Sequence, residues 1–179
     1  MNNILNNFKN DCSVFLAAAF AAAVFSLAGC QLTHRGISRI PSNLMGTWKT
    51  QDPAWQITLN QDGNIESVLI PMGQIIIKPN QTNTMQMIDG QISIFETGDF
   101  ETSFDPISNE LFAKILISHL NIKIGDDYIE GSREDVFVGP LAEDGKQWNA
   151  TWFQIFDYGP RFPMDPDAAG VPVIFKKVN

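Results

Sequence analysis

The sequence predicts an all-β domain whose antiparallel strands follow one another up and down, as a barrel or alternatively as a β-sandwich. Apolar and polar residues alternate in several short runs, of which residues 55–60 are the most regular. Such alternation places one face of a strand on a core and the other in water. Turn-forming pairs such as Asp89-Gly90 separate the runs, and no run carries apolar residues at a clear helical spacing.

The N-terminal segment is set apart from this domain by its composition. Residues 1–12 are mostly polar, and residues 13–26 form an uncharged run dominated by Ala, Phe, Val and Leu. That run is shorter than the ~20 apolar residues that span a bilayer, and it is typical of a signal-peptide core. The motif Leu27-Ala28-Gly29-Cys30 follows directly and resembles the lipobox of bacterial lipoproteins. The resemblance implies that residues 1–29 are a signal peptide and that Cys30 becomes an acylated N-terminus.

The same resemblance predicts where the protein resides. Two or more acyl chains on Cys30 hold a protein stably on a membrane, whereas one chain exchanges. Gln31 follows the cysteine, and in lipoproteins of Gram-negative bacteria the lack of Asp at this position favours the outer membrane. We therefore expect a palmitate-bearing lipid anchor in the bacterial cell envelope, a tether over residues 30–43, and a β domain over residues 44–179 that faces the periplasm.

Charge and cysteine content exclude several classes of function. The formal net charge is −8, and the chain has no basic stripe, so nucleic acid is not an expected partner. The two cysteines are Cys12 and Cys30, both outside the β domain. That domain therefore has no disulfide and no thiolate for catalysis or for zinc. A monomer held by its hydrophobic core is expected.

No catalytic site and no cofactor are predicted. His119 is the only histidine of residues 44–179, and a lone histidine does not build a nucleophile–base pair. Adjacent acids such as Glu134-Asp135 point to opposite faces of a strand and are expected as turn and edge residues. Asp157, Asp165 and Asp167 lack the spacing of a calcium loop, so no metal site is expected.

The predicted strands follow in order through the domain. Residues 85–88 and 91–94 form a hairpin around Asp89-Gly90, because this pair accepts the positive φ angles of a type I′ turn. Residues 158–167 contain three prolines and read as an irregular loop before the last strand. Outside that hairpin the strand candidates are residues 55–60, 100–104, 111–120, 120–124, 148–158 and 171–178.

A second motif narrows the range of possible folds. Gly46-Thr47-Trp48 stands at the first predicted strand and is similar to the Gly-x-Trp signature of lipocalins and related calycin barrels. In those proteins the Trp plugs the closed end of the barrel, and a cationic side chain near the last strand often stacks over it. The resemblance implies a lipocalin-like barrel in which Gly46 and Trp48 form the signature and Arg161 or Lys176 supplies the cation.

One strand indicates a function. Trp148, Trp152, Phe156 and Tyr158 fall on one face of residues 148–158, with Gln154 among them. Ligand pockets are mostly apolar with a few fixed polar groups. The leading hypothesis is that Trp152 and Phe156 form the wall of a barrel cavity for a hydrophobic or amphipathic small molecule or lipid, and that Gln154 anchors its polar part.

An alternative hypothesis needs no pocket. In it the protein is a structural or protein-interaction lipoprotein that acts through the surface loop 158–167. Tyr158, Arg161 and Phe162 would be the contact residues, since Tyr and Arg are enriched among the anchors of protein interfaces.

Overall fold

The computed structural model describes residues 39–71, 75–86, 92–124, 127–160 and 169–178. They form one short 3-10 helix and a sheet of eleven strands. In chain order the elements are η1 (Ser42–Leu44), β1 (Gly46–Lys49), β2 (Gln56–Leu59), β3 (Ile65–Ile70), β4 (Ile75–Ile77), β5 (Thr82–Gln86), β6 (Ile92–Thr97), β7 (Glu101–Asp105), β8 (Glu110–Ile124), β9 (Asp127–Pro140), β10 (Gln147–Asp157) and β11 (Val171–Val178).

The strands form a nearly closed antiparallel barrel. Their order is β4-β3-β2-β1-β11-β10-β9-β8-β6-β5, and β7 pairs with the same edge of β8 as β6 does. Sequence neighbours are therefore mostly spatial neighbours, and the last strand returns to pair with the first. The structure confirms the predicted all-β, up-and-down barrel and selects it over the β-sandwich. The predicted hairpin of β5 and β6 is present, while Asp89-Gly90 lies outside the described residues.

The ends of the path, β4 and β5, are consecutive in the chain, and side chains tie their connection to the end of β6. The Thr97 hydroxyl donates to the carbonyl of Lys78 at 2.6 Å and accepts from the backbone N–H of Gln81 at 3.0 Å. The carbonyl of Gly98 accepts from the backbone N–H of Asn80 at 3.1 Å. These bonds fasten the β4–β5 connection to the end of β6, while no ladder pairs β4 with β5 among the described strands.

The antiparallel pairing gives the barrel two distinct ends. At one end, which we call the η1 end, lie η1 and the starts of β1, β3, β8 and β10. At the other, the loop end, β3, β5, β8 and β10 finish. The folded part extends to Ile40, which is buried against the core and next to Gly63, so chain upstream of β1 belongs to the barrel.

A β-bulge in β8 changes which side chains face inward. Residues 111, 113, 115 and 117 are buried, and the next buried residue is Leu120. The pairing with β9 shifts between Ile117 and Leu120, so Ser118 and His119 face a single residue of the partner strand. The extra residue bends the strand and reverses the alternation. This is why β8 contributes buried side chains from Leu111 to Leu120 on both sides of the bulge.

The η1 end is filled by the signature tryptophan. Trp48 is fully buried, and its indole N–H donates to the carbonyl of Leu44 in η1 at 2.9 Å. Its ring lies edge-on to Trp148, with 6.5 Å between centroids. Gly46 has φ +109°, a left-handed conformation that favours glycine. Trp48 is thus part of the packed interior at the η1 end.

The expected cation is placed differently. Lys176 pairs with Lys49 and is exposed on the outer face, so it does not reach Trp48, and the prediction for Lys176 is wrong. Alternation puts its neighbour Lys177 directly opposite Trp48, where its ammonium group donates to the carbonyl of Asn43. Arg161, the other candidate, lies outside the described residues.

The closure of the barrel can be tested at Thr97. Thr97→Val keeps the shape of the side chain and removes both hydroxyl bonds from a residue that is 5 % exposed. We expect the free energy of unfolding to fall by about 1–3 kcal/mol in urea titrations, because buried backbone groups lose their partner. Ser118→Ala removes an exposed hydroxyl bonded to Glu96 and should cost less than about 0.5 kcal/mol. Equal losses of unfolding free energy in the two variants would contradict the role of the Thr97 hydroxyl in holding the β4–β5 connection.

Candidate functional site

The inner face of β9 carries a pair of opposite charges. Alternation along this strand directs residues 129, 131, 133, 135, 137 and 139 inward. Two of them, Arg133 and Asp135, are charged, and Asp135 is fully buried. A buried carboxylate is costly unless it is paired and hydrogen-bonded, so its contacts define the site.

Asp135 has three hydrogen bonds to its carboxylate. Arg133 binds it with two donors, Nε to Oδ2 at 2.9 Å and Nη2 to Oδ1 at 2.8 Å. The indole N–H of Trp152 donates to Oδ1 at 2.9 Å. Bidentate, charge-assisted bonds of this kind are the strong ones in proteins. The Arg133 side chain is 12 % exposed and that of Asp135 is 1 % exposed, so the pair is open to solvent only on the arginine side.

The neighbouring strands surround the pair with apolar side chains. On β8, Ile115 lies opposite Asp135 and Ile117 opposite Arg133, and both are buried. On β10, Gln154 lies opposite Asp135. Taking two charges out of water costs several kcal/mol per ion, and their attraction repays it only with good geometry. The pair is therefore not a device for stability alone.

Below the ion pair, toward the η1 end, the barrel is packed with aromatic rings. Phe137 lies 5.1 Å from Trp55, 6.3 Å from Trp152 and 5.3 Å from Phe175, measured between ring centroids. Trp148 stacks on Phe175 at 4.8 Å. We call these five side chains, with Trp48, the aromatic floor. Its one unsatisfied group is the indole N–H of Trp55, which is buried without a hydrogen-bond partner in the described structure.

Above the ion pair, toward the loop end, the inner face of β10 is open to solvent, whereas Leu120 on β8 stays buried. Gln154 is exposed although it faces inward, and Phe156 and Tyr158 are half-buried. The rings of Phe156 and Tyr158 stack with centroids 4.6 Å apart. With its amide oxygen directed at the guanidinium, Gln154 accepts from Arg133 Nε at 3.1 Å and Nη2 at 2.8 Å. We call Arg133, Gln154, Phe156 and Tyr158 the mouth.

Tyr158 is held in its neutral form. Burial raises the pKa of its hydroxyl above the ordinary 10.0, and this outweighs the opposing effect of the Arg133 charge and hydrogen bond. A glycine makes this position possible: a Cβ on Gly131 would lie 1.8 Å from the carbonyl oxygen of Asp157. Gly131 thus lets the end of β10 approach β9 and brings Tyr158 next to Arg133.

The structure places the three predicted ligand-binding residues and Tyr158 in one region of the barrel. Gln154 and Phe156 belong to the mouth, and Trp152 belongs to the aromatic floor, where its N–H is used by Asp135. Tyr158 turns its ring against Phe156, which gives no support to its expected role as a surface contact. Predicted residues outside the described part of the chain are Cys30, Arg161 and Phe162.

Sequence reasoning missed Arg133 and misplaced Asp135. The expectation that Glu134-Asp135 lies at a turn or edge is wrong for Asp135, because it sits in the middle of β9 at a position without solvent. The opposite-face argument for the two acids holds, since Glu134 pairs with the outward Ile155. The sequence did contain an indication that both side chains face inward. Arg133 and Asp135 lie an even number of positions from the apolar Ile129 and Phe137, so all four lie on the same face of the strand.

Other features of the described residues do not build a second site of this kind. A shallow depression of about 140 Å³ at the η1 end is lined mostly by polar groups and turn backbone of residues 141–145, Asn43 and Asn109. His119 lies in the bulge of β8. Within the described ranges no three His, Cys, Asp or Glu side chains gather as a metal would require, and no helix there has the length and apolar character to cross a membrane.

Comparisons with protein families, with curated proteins and with solved structures returned no match.

The ion pair can be tested by removing its charges one at a time. Arg133→Met should lower the free energy of unfolding by about 3–5 kcal/mol, because it leaves the Asp135 carboxylate buried and uncompensated. Adding Asp135→Asn removes that charge and keeps an oxygen for the Trp152 N–H, so the double variant should recover most of the loss. Urea denaturation measures both. A double variant less stable than Arg133→Met would contradict the assignment.

Proposed function

We propose that the protein is a lipid-anchored envelope protein that binds a hydrophobic or amphipathic small molecule, or a lipid, at the mouth of its barrel. The observation that carries the proposal is the exposed, inward-facing Gln154 beside the half-buried Phe156 and Tyr158. Sites for small molecules are concave, mostly apolar and furnished with a few fixed polar groups. The stacked aromatic pair supplies the apolar wall, and Gln154 and Arg133 supply the polar groups.

The aromatic floor limits how deeply such a ligand enters. Across the barrel, the rings of three floor residues contact one another: Trp55, Phe137 and Trp152. An interior packed in this way leaves no room for the acyl chain of a ligand. The apolar part of the ligand therefore lies against the mouth, above Asp135, and reaches toward the loop end. This favours a ligand that is partly enclosed by the protein over one that is completely buried inside the barrel.

A lipid anchor would keep this mouth near a membrane. Its support is the lipobox resemblance at Cys30, followed by a short segment before the described chain begins at Arg39. Residues 31–38, fully extended, span at most about 30 Å. A barrel tethered this closely would exchange amphipathic molecules with the bilayer without crossing much water, which fits the proposed class of ligand and an outer-membrane location facing the periplasm.

Ligand binding is tested by a matched pair of substitutions on β10. A brominated acylglycerol should quench the tryptophan emission of the protein, since Trp152 lies directly below the mouth. Phe156→Ala should weaken the affinity about tenfold, which is ~1.4 kcal/mol, by removing half of the stacked wall. Ile155→Ala truncates the next side chain, which is outward and 45 % exposed, and should leave binding unchanged. Equal effects of the two variants, or no quenching at all, would contradict the proposal.

The anchor is tested by metabolic labelling with a palmitate analogue in a bacterial host. The wild-type chain should be labelled and should sediment with membranes, and Cys30→Ser should lose the label, because the thiol is the attachment atom. Cys12→Ser lies in the proposed signal peptide and should keep the label. An unlabelled wild-type chain would overturn the lipoprotein assignment.

A further inference from the structure

We propose that the mouth selects amphipathic ligands whose polar head carries no net charge, such as monoacylglycerols, over fatty-acid anions with the same chain. This inference rests on the proposed function, because it specifies the head group of the molecule bound there. It follows from how the charges of the mouth are already used, and each step concerns residues on the inner faces of β9 and β10.

The one cation of the mouth is already paired. Arg133 presents its Nε and Nη2 donors, one of the two guanidinium edges that match a carboxylate, to Asp135, whose charge neutralises its own. A ligand carboxylate that took this edge would leave Asp135 with the Trp152 N–H as its only remaining described donor. An uncompensated buried charge is strongly unfavourable. The guanidinium is therefore a poor receptor for an anionic head, although it is the only positive group among the four mouth residues.

The other polar groups of the mouth are neutral. In the orientation that satisfies both groups, the amide oxygen of Gln154 faces Arg133 and its two N–H donors point away from the guanidinium. The Gln154 side chain is exposed. Tyr158 is neutral at pH 8, as an ordinary tyrosine is, and burial raises its pKa further. Amide and hydroxyl groups pair well with the hydroxyl and ester oxygens of a glycerol head. An anionic head group would find no unpaired positive charge among the four mouth residues, and the chain as a whole carries −8.

The test compares two ligands that share an acyl chain. The full chain, held in amphipol, is titrated with monolaurin and with laurate at pH 8, where laurate is ionised, and the affinities are measured by isothermal titration calorimetry. We expect monolaurin to bind at least about tenfold more tightly than laurate. Asp135→Asn keeps an acceptor for Trp152 and frees the charge of Arg133, so it should reverse this preference toward laurate.

The control is Glu134→Gln, which removes the same charge from the next residue of β9 on the outer face and should keep the wild-type ratio. Laurate bound as tightly as monolaurin by the wild type would overturn the inference and leave the proposed function standing. Binding of neither ligand would overturn both. If circular dichroism shows that Asp135→Asn does not fold, the wild-type ratio decides the question by itself.

Discussion

The carboxylate of Asp135 is the charge around which the interior of the barrel is arranged. It is enclosed by Ile115 on one neighbouring strand and by Trp152 on the other, so it exists in the folded protein only because Arg133 and the indole N–H bind it. The same contacts fix the guanidinium, and the guanidinium in turn orients Gln154. A single buried charge therefore orients the polar groups of Arg133, Trp152 and Gln154.

This arrangement divides the barrel into two parts with different physical properties. Toward the η1 end the aromatic floor is fully packed, anchored by Trp48 and its bond to the carbonyl of Leu44. Toward the loop end the inward-facing side chains of β10 meet solvent. The buried aromatic side chains of the floor contribute strongly to the stability of the core. The half-buried wall of the mouth is where we propose that a ligand binds, because less packing is lost there when a ligand enters and leaves.

The sequence predicts the fold better than the site, and the reason is physical. Strand alternation reports which face is buried, so the up-and-down barrel and β11 could be predicted from local patterns. The bulge at Ser118-His119 is also visible in the alternation of β8. Every second residue is buried up to Ile117, and the next buried residue, Leu120, comes three positions later. A charge pair inside a strand was not expected, because acids are usually exposed. Asp135 is recognised as buried only when Trp152, seventeen residues away, is placed beside it.

The central claim is that a packed floor supports an open mouth that holds an uncharged amphipathic molecule. Native mass spectrometry of the protein extracted from bacterial envelopes tests it most directly, because a ligand acquired in the cell is detected without choosing it beforehand. The account predicts a bound mass of one small lipid or amphipathic metabolite without ionisable head groups. A protein recovered only in its unliganded mass, under conditions that preserve other lipid complexes, would contradict it.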